Sequence, residues 1–218
     1  MNTICVSDFS DDRYLAFCTR NGLVKKTCLS AYKNVRVKGI KAIKLEEDDE
    51  LVETHLTTGD AELIIATKEG QACRFNEQDV RPTGRDTMGV KGVTLNTGDS
   101  VVAMAPVRPE DMLLTVTENG YGKISSVDDY RKTRRGGKGV ITIKTGGRNG
   151  NVVAVRKVDQ TDELMITSKH GKIIRIKVAD IRVTGRNAMG VKVMNLHDDD
   201  LVTALEPVVG GEDVADDQ

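Results

Sequence analysis

A chain of 218 residues, 39 % hydrophobic and 30 % charged, is long enough to bury a core without disulfide or metal staples and too apolar for a disordered polymer. Its net charge of −1 argues, as an average, against a nucleic-acid partner, but residues 119–157 hold ten Lys/Arg against two Asp, a local +8 that leaves −9 for the remainder. The longest apolar runs, such as Val101–Ala103 with its neighbours to Val107, fall far short of the roughly 20 residues that span a bilayer, and Met1–Cys5 lacks a secretion signal, so a cytoplasmic setting with no membrane partner is expected.

In chain order, the apolar segment Ile4–Val6 reads as the last strand of a unit, and four repeat units follow at about 10–57, 58–107, 108–158 and 159–208. Three sets of anchors define the repeat. The turn glycines Gly22, Gly70, Gly120 and Gly171 lie 48, 50 and 51 residues apart, and Gly39, Gly89, Gly139 and Gly190, each opening a strand-like run, lie 50, 50 and 51 apart. Apolar pairs at Leu51-Val52, Val101-Val102, Val152-Val153 and Leu201-Val202 keep the same period. Each unit reads as four short strands: an apolar run (Tyr14–Cys18, Leu63–Ala66, Met112–Val116, Leu164–Ile166), a tight hairpin turn, and a second strand alternating apolar and polar residues. A Gly-rich basic loop leads to the third strand, and an acidic turn such as Glu46–Glu50 or Asp198–Asp200 to the fourth. Leu29–Lys33 and Val127–Tyr130 have room for a short helical turn at most.

Units of this length with four strands predict an all-β, propeller-like array of about four blades, each a four-stranded antiparallel sheet. Residues 1–209 then form one domain, and 210–218 an acidic, disordered and solubilising tail.

The most informative loop is in the third unit, where Arg131, Lys132, Arg134, Arg135 and Lys138 place five cations within eight residues around Gly136, Gly137 and Gly139. Glycines there let the backbone approach a phosphate closely. The corresponding loops are also basic: Lys33, Arg36, Lys38 and Lys41 in the first unit, Arg81, Arg85 and Lys91 in the second, and Arg182, Arg186 and Lys192 in the fourth. Equivalent loops of a radial array fall along one rim, and a curved row of cations is a track for bent duplex DNA held through its phosphates. Aromatic residues, 3 % of the chain, are too few for the stacking platforms of a single-strand binder.

Other chemistry finds little support. Cys5, Cys18, Cys28 and Cys73 form no Cys-x-x-Cys pair and read as buried free thiols, and His55, His170 and His197 are isolated in sequence. Gly84–Gly89 and Gly185–Gly190 have P-loop glycine spacing, but Val90 and Val191 stand where that motif requires Lys. No catalytic residue, metal site or cofactor is expected.

The run Arg134-Arg135-Gly136-Gly137-Lys138-Gly139 resembles the box motif of the C-terminal domain of the DNA gyrase A subunit, and the likeness covers nearly all of residues 1–209. Residues 21–27, 118–123 and 184–191 are similar to blades of that family, in part shared with the corresponding domain of topoisomerase IV. The resemblance implies a β-pinwheel whose rim wraps DNA and feeds a duplex segment to a strand-passage gate. It also implies, as partners, the gyrase B subunit together with the remainder of the gyrase A subunit, the whole supporting ATP-dependent supercoiling. The family box begins with Gln where this chain has Thr133, and it sits in the first of about six blades, not the third unit of four, so leading blades are expected to be missing. The alternatives are the topoisomerase IV domain and a protein-binding propeller adaptor.

Overall fold

The structure, a computed structural model, describes residues 3–35 and 37–208. Arg36 and the acidic tail lie outside the described residues. Unit 1 contributes β1 (Tyr14–Thr19), β2 (Leu23–Cys28) and β3 (Leu51–Thr57), and unit 2 contributes β4 (Glu62–Thr67), β5 (Gln71–Asn76), β6 (Val90–Lys91) and β7 (Val101–Val107). Unit 3 follows with β8 (Met112–Thr117), β9 (Tyr121–Ser126), β10 (Val140–Ile141) and β11 (Val152–Val158). Unit 4 has β12 (Glu163–Ser168), β13 (Ile173–Lys177), β14 (Val191–Lys192) and β15 (Val202–Pro207). Helical structure among the described residues is confined to 3-10 turns after the second strand of each unit, such as Leu29–Tyr32 and Val127–Asp129.

The strands form antiparallel sheets ordered β3-β1-β2-β6, β7-β4-β5-β10, β11-β8-β9-β14 and β15-β12-β13. A unit's strands therefore do not all lie in one sheet, as the sequence pattern had suggested. The short third strand of each unit crosses to the preceding sheet: Val90 and Lys91 of unit 2 pair with Val24 and Leu23, Val140 and Ile141 with Ala72 and Gln71, and Val191 and Lys192 with Gly122 and Tyr121. The last sheet consequently has three strands among the described residues, and the equivalent stretch of unit 1 after Gly39 forms none. Ile4–Val6, expected as a strand, is irregular.

This exchange fixes burial. The outer hairpin strands β2, β5 and β9 are buried along their central residues because the next unit's loop covers them. In β13, which nothing described covers, Ile173, Arg175 and Lys177 are exposed. The polar–apolar alternation expected of every second strand thus appears in the burial of β13 alone.

Three apolar layers fill the spaces between successive sheets. Ala16, Val24, Leu63, Phe75 and Met104 pack between the first two, Ile64, Val107, Leu113, Tyr130 and Ile143 between the next pair, and Leu114, Ile124, Leu164, Ile166 and Met194 between the last two. Edge strands β3, β7, β11 and β15 pack on one another in succession, which puts them at the hub. The donated strands β6, β10 and β14, at the opposite edges, therefore mark the outer perimeter. Cys18 and Cys73 are buried as expected, whereas Cys5 is exposed and Cys28 half-buried, and all are free thiols.

Candidate nucleic-acid interface

In units 2, 3 and 4 the basic loop enters the perimeter through a narrow backbone crossing, whereas Gly39 of unit 1 has open space around it. Gly139 has φ of +79°, and a Cβ there would come within 2.4 Å of the Ala72 carbonyl oxygen. Gly89 and Gly190 repeat the arrangement, with Cβ positions 2.7 Å from the Val24 oxygen and 2.5 Å from the Gly122 oxygen. A side chain at any of these three positions would push the loop off the strand, so the glycine register of units 2, 3 and 4 is set by this crossing.

Beneath two of the loops stand buried lysines. Lys25 Nζ donates to the carbonyls of Arg85, at 2.5 Å, and Ala42, at 2.7 Å. Lys123 Nζ donates to the Gly185 carbonyl and to Ser125 Oγ, both at 2.9 Å. Burial lowers both ammonium groups to about 8, opposed by nearby Asp86 and Asp129 and reinforced by Arg85 and Arg186. Under the unit 3 loop the corresponding residue is Cys73, and the backbone bond shared by all three crossings remains: Thr133 N–H donates to the Arg74 carbonyl at 2.8 Å, as Thr83 N–H does to that of Lys26 and Thr184 N–H to that of Ile124. Arg74 itself is buried, donating to the Val127 and Tyr130 carbonyls at 2.8 and 3.0 Å and to Glu62 at 2.6 Å.

Neighbouring loops also clasp one another. Arg135 reaches from the unit 3 loop to the carbonyls of Asp79, at 2.9 Å, and Lys91, at 3.0 Å. One unit further on, Arg186 repeats the contact, donating to Asp129 O at 3.1 Å and Ile141 O at 2.9 Å. Backbone bonds from Gly136 N to Gly92 O, 2.6 Å, and from Thr94 N to Gly137 O, 2.9 Å, join the unit 2 and unit 3 loops. At the unit 1 end, Lys33, Ile40 and Lys41 face Gly84, Arg85 and Thr87 across an open cleft of about 1020 Å³. The basic loops thus adjoin in series along a single edge.

Within that series the cations singled out in the sequence play different parts. Arg81, Lys91, Arg131, Arg134, Lys138, Arg182 and Lys192 are exposed, as are Lys38 and Lys41 in unit 1. Arg85, Arg135 and Arg186 are half-buried, the last two with part of the guanidinium committed to the carbonyls of the neighbouring loop. Lys132 turns to Glu62, 2.9 Å away. Burial alone would raise the Glu62 carboxyl, but Lys132 and Arg74 hold it below the usual carboxylate value. Gly136, Gly137 and Gly139 lie at the junction of the loops.

Sequence reading passed over Arg148 and Tyr121. The Arg148 guanidinium lies over the Tyr121 ring, 4.7 Å from its centroid, and Lys192 Nζ lies 5.7 Å from the same ring. Their signal in the sequence is the turn of unit 3, Thr145–Asn151, which carries a cation where units 1 and 4 are acidic. No group of three or more His, Cys, Asp or Glu suited to hold a metal ion occurs among the described residues, and none of their helices is long and apolar enough to cross a membrane.

Residues 13–57, 61–108, 111–159 and 162–208 each match the family model described as DNA gyrase C-terminal domain, beta-propeller. The chain is 45 % identical over 201 residues to the DNA gyrase A subunit of Haloquadratum walsbyi, covering 91 % of this chain and 24 % of that protein. It is 44 % identical over 208 residues to the DNA gyrase A subunit of Staphylococcus aureus strain MRSA252, covering 94 % of this chain and 24 % of that protein. It therefore spans about a quarter of the length of these relatives. Among solved structures, a DNA gyrase A C-terminal domain superposes with a TM-score of 0.83 at 31 % identity, covering 94 % of this chain and 68 % of that one. The C-terminal domain of a DNA topoisomerase IV gives 0.87 at 30 % identity, covering 93 % and 64 %. With four repeats matched and the fold superposing on a solved gyrase A C-terminal domain, the chain belongs to the gyrase A C-terminal β-pinwheel family.

Proposed function

We propose that the chain binds duplex DNA along its outer perimeter, bends it, and serves as the wrapping module of a gyrase-type A subunit. The observation carrying this reading is the clasp between loops, Arg135 on the Lys91 carbonyl and Arg186 on the Ile141 carbonyl, which sets successive basic loops side by side. DNA needs such an arrangement: bending 20–30 base pairs by 40–90° costs about 1–6 kcal/mol, more than one flexible loop would hold. Exposed Arg131, Arg134 and Lys138 contact phosphates in unit 3, Arg81 and Lys91 in unit 2, Arg182 and Lys192 in unit 4, and Lys38 and Lys41 in unit 1. Arg135 and Arg186 brace the loops through the neighbouring carbonyls, and half-buried Arg85 adds charge to the unit 2 loop.

Within an assembled enzyme that also contains the B subunit, the module would present a duplex segment for strand passage and so support ATP-driven supercoiling. The chemistry of cleavage and ATP hydrolysis would belong to the other parts of that assembly. A second reading, the corresponding domain of a topoisomerase IV, is favoured by the 0.87 TM-score to such a domain. A relaxed plasmid treated with the chain and a nicking-closing enzyme separates the two, because a chiral wrap shifts the linking number and simple binding leaves it unchanged.

Affinity measured against salt tests the shared part. Contacts to about six phosphates give a slope of log K on log salt near −5. Replacing Arg134, Arg135 and Lys138 together by Ala should weaken binding at least tenfold and flatten that slope. Undiminished affinity at moderate salt would remove the unit 3 loop from the interface, and no binding at low salt would leave the protein-adaptor alternative.

A further inference from the structure

Asp49, Asp99, Asn149 and Asp200 occupy the same place in the four units, at intervals of 50, 50 and 51 residues. In units 1, 2 and 4 the aspartate Oδ1 accepts the backbone N–H of Asn21, Glu69 and His170, at 2.9, 2.9 and 3.0 Å, and so ties the turn to the hairpin of its own sheet. Unit 3 departs from this. Asn149 is fully buried, and its Nδ2 donates to the carbonyls of Lys144, 2.7 Å, and Met189, 3.0 Å, the second of which belongs to the basic loop of unit 4.

The preceding residue changes as well. Asp48, Gly98 and Asp199 stand where unit 3 has Arg148, and Leu23, Gln71 and Lys172 stand where it has Tyr121. Only unit 3 therefore combines a cation on the turn with an aromatic ring beneath it. Arg148 Nη2 donates to the Gly190 carbonyl at 3.1 Å, its own carbonyl accepts from Asn119 Nδ2 at 3.0 Å, and its guanidinium rests on the ring also approached by Lys192. Two exposed cations are thus fixed on one ring at the perimeter, next to the loop that carries Arg186. Both cations draw on the π-electrons of one ring, which concentrates positive charge there, and an arginine already immobilised by stacking and a carbonyl bond gives up little freedom when a phosphate arrives.

We propose that Arg148, seated on Tyr121 beside Lys192, is a phosphate-gripping site for duplex DNA that carries the path from the unit 3 loop onto the unit 4 loop. The inference rests on the DNA-binding reading above and adds a contact outside the repeated loops. It follows that the turn of unit 3 is part of the interface, whereas the acidic turns of units 1 and 4 repel the duplex and confine it to the rim.

The test compares Arg148→Gln, Tyr121→Leu and the Arg134/Arg135/Lys138 triple alanine variant with the parent, using a duplex of about 40 base pairs over a range of salt, with thermal melting alongside. Arg148→Gln removes the charge and leaves a shorter polar side chain on the exposed turn. It should melt like the parent, bind roughly three- to tenfold more weakly at moderate salt, and lower the salt slope by about one. Tyr121→Leu should weaken binding less and leave the slope unchanged, since both cations remain. If Arg148→Gln binds with the parent's affinity and slope while the triple variant is weakened, the inference falls and the general reading stands. Weaker binding with an unchanged slope would make Arg148 a brace for the unit 4 loop and would also overturn the proposal. A parent that fails to bind DNA at low salt takes down both.

Discussion

Lys25 and Lys123 lie in the middle of strands with 1 % and 0 % of their surface exposed, where an apolar residue would ordinarily pack. A charge in such a place reads in a sequence as the polar face of a strand, so neither lysine could be identified beforehand as a support for the basic loops. Their burial has a pH consequence with a definite sign. Between about pH 8 and 10.5 the unfolded chain holds protons on these lysines that the folded chain has released, so their contribution to stability rises with pH across that window, and the cost of burying the charges is fully present below it. The denaturation midpoint of the parent should therefore rise with pH relative to a Lys25→Met, Lys123→Met double variant. Parallel pH curves for the two proteins would mean that the ammonium groups are not buried. Gly139 supports a second prediction at this scale. A methyl group there meets the Ala72 oxygen at 2.4 Å in a backbone conformation with φ of +79°, so Gly139→Ala should cost on the order of 1–3 kcal/mol and weaken DNA binding by displacing the loop. A variant that melts and binds like the parent would show that the crossing is loose.

Among the elements, the repeat and most of the strands were legible because their signals are local: apolar runs, turn glycines and a fixed period. The sheet to which each third strand belongs was not. Val140 and Ile141 look the same in sequence whether they pair with β9 of their own unit or with β5 of the preceding one, and only the close approach of Gly139 to Ala72 selects β5. The same non-local step decides burial, since β9 is covered by β14 and β13 by nothing described. Hydrogen exchange should register the difference. Alternate amides of β13, those facing away from β12, should exchange at least tenfold faster than their counterparts in β9, because an uncovered strand edge opens without breaking a ladder. Equal protection in the two strands would show that the β13 edge is covered in solution.

Across the whole molecule, curvature depends on how the inner strands meet. Arg156 of β11 donates to Glu53 of β3 across the hub and lies 3.9 Å from Glu206 of β15, while His55 of β3 is hydrogen-bonded with the Met104 carbonyl of β7 at 2.7 Å. Groups from all four units thus converge around Arg156 and Glu53. Burial would raise the Glu53 carboxyl, but His55 and Arg156 together hold it below its ordinary value. Charges separated by 103 residues leave no local trace in a sequence, and the hub was invisible there for the same reason that the strand exchange was. Removing the arginine leaves Glu53, 4 % exposed, with a weaker set of partners. Arg156→Ala should then destabilise the fold by on the order of 2–3 kcal/mol, below the range for fully buried pairs because Arg156 is itself 29 % exposed. Its effect on DNA distinguishes curvature from simple charge. Arg156 lies at the hub, away from the perimeter, so the salt slope of the folded variant should match the parent's while the bend it imposes, read by energy transfer between dyes at the ends of a short duplex, becomes smaller. A lower salt slope with an unchanged bend would place Arg156 in direct contact with the phosphates and remove the hub from control of DNA shape.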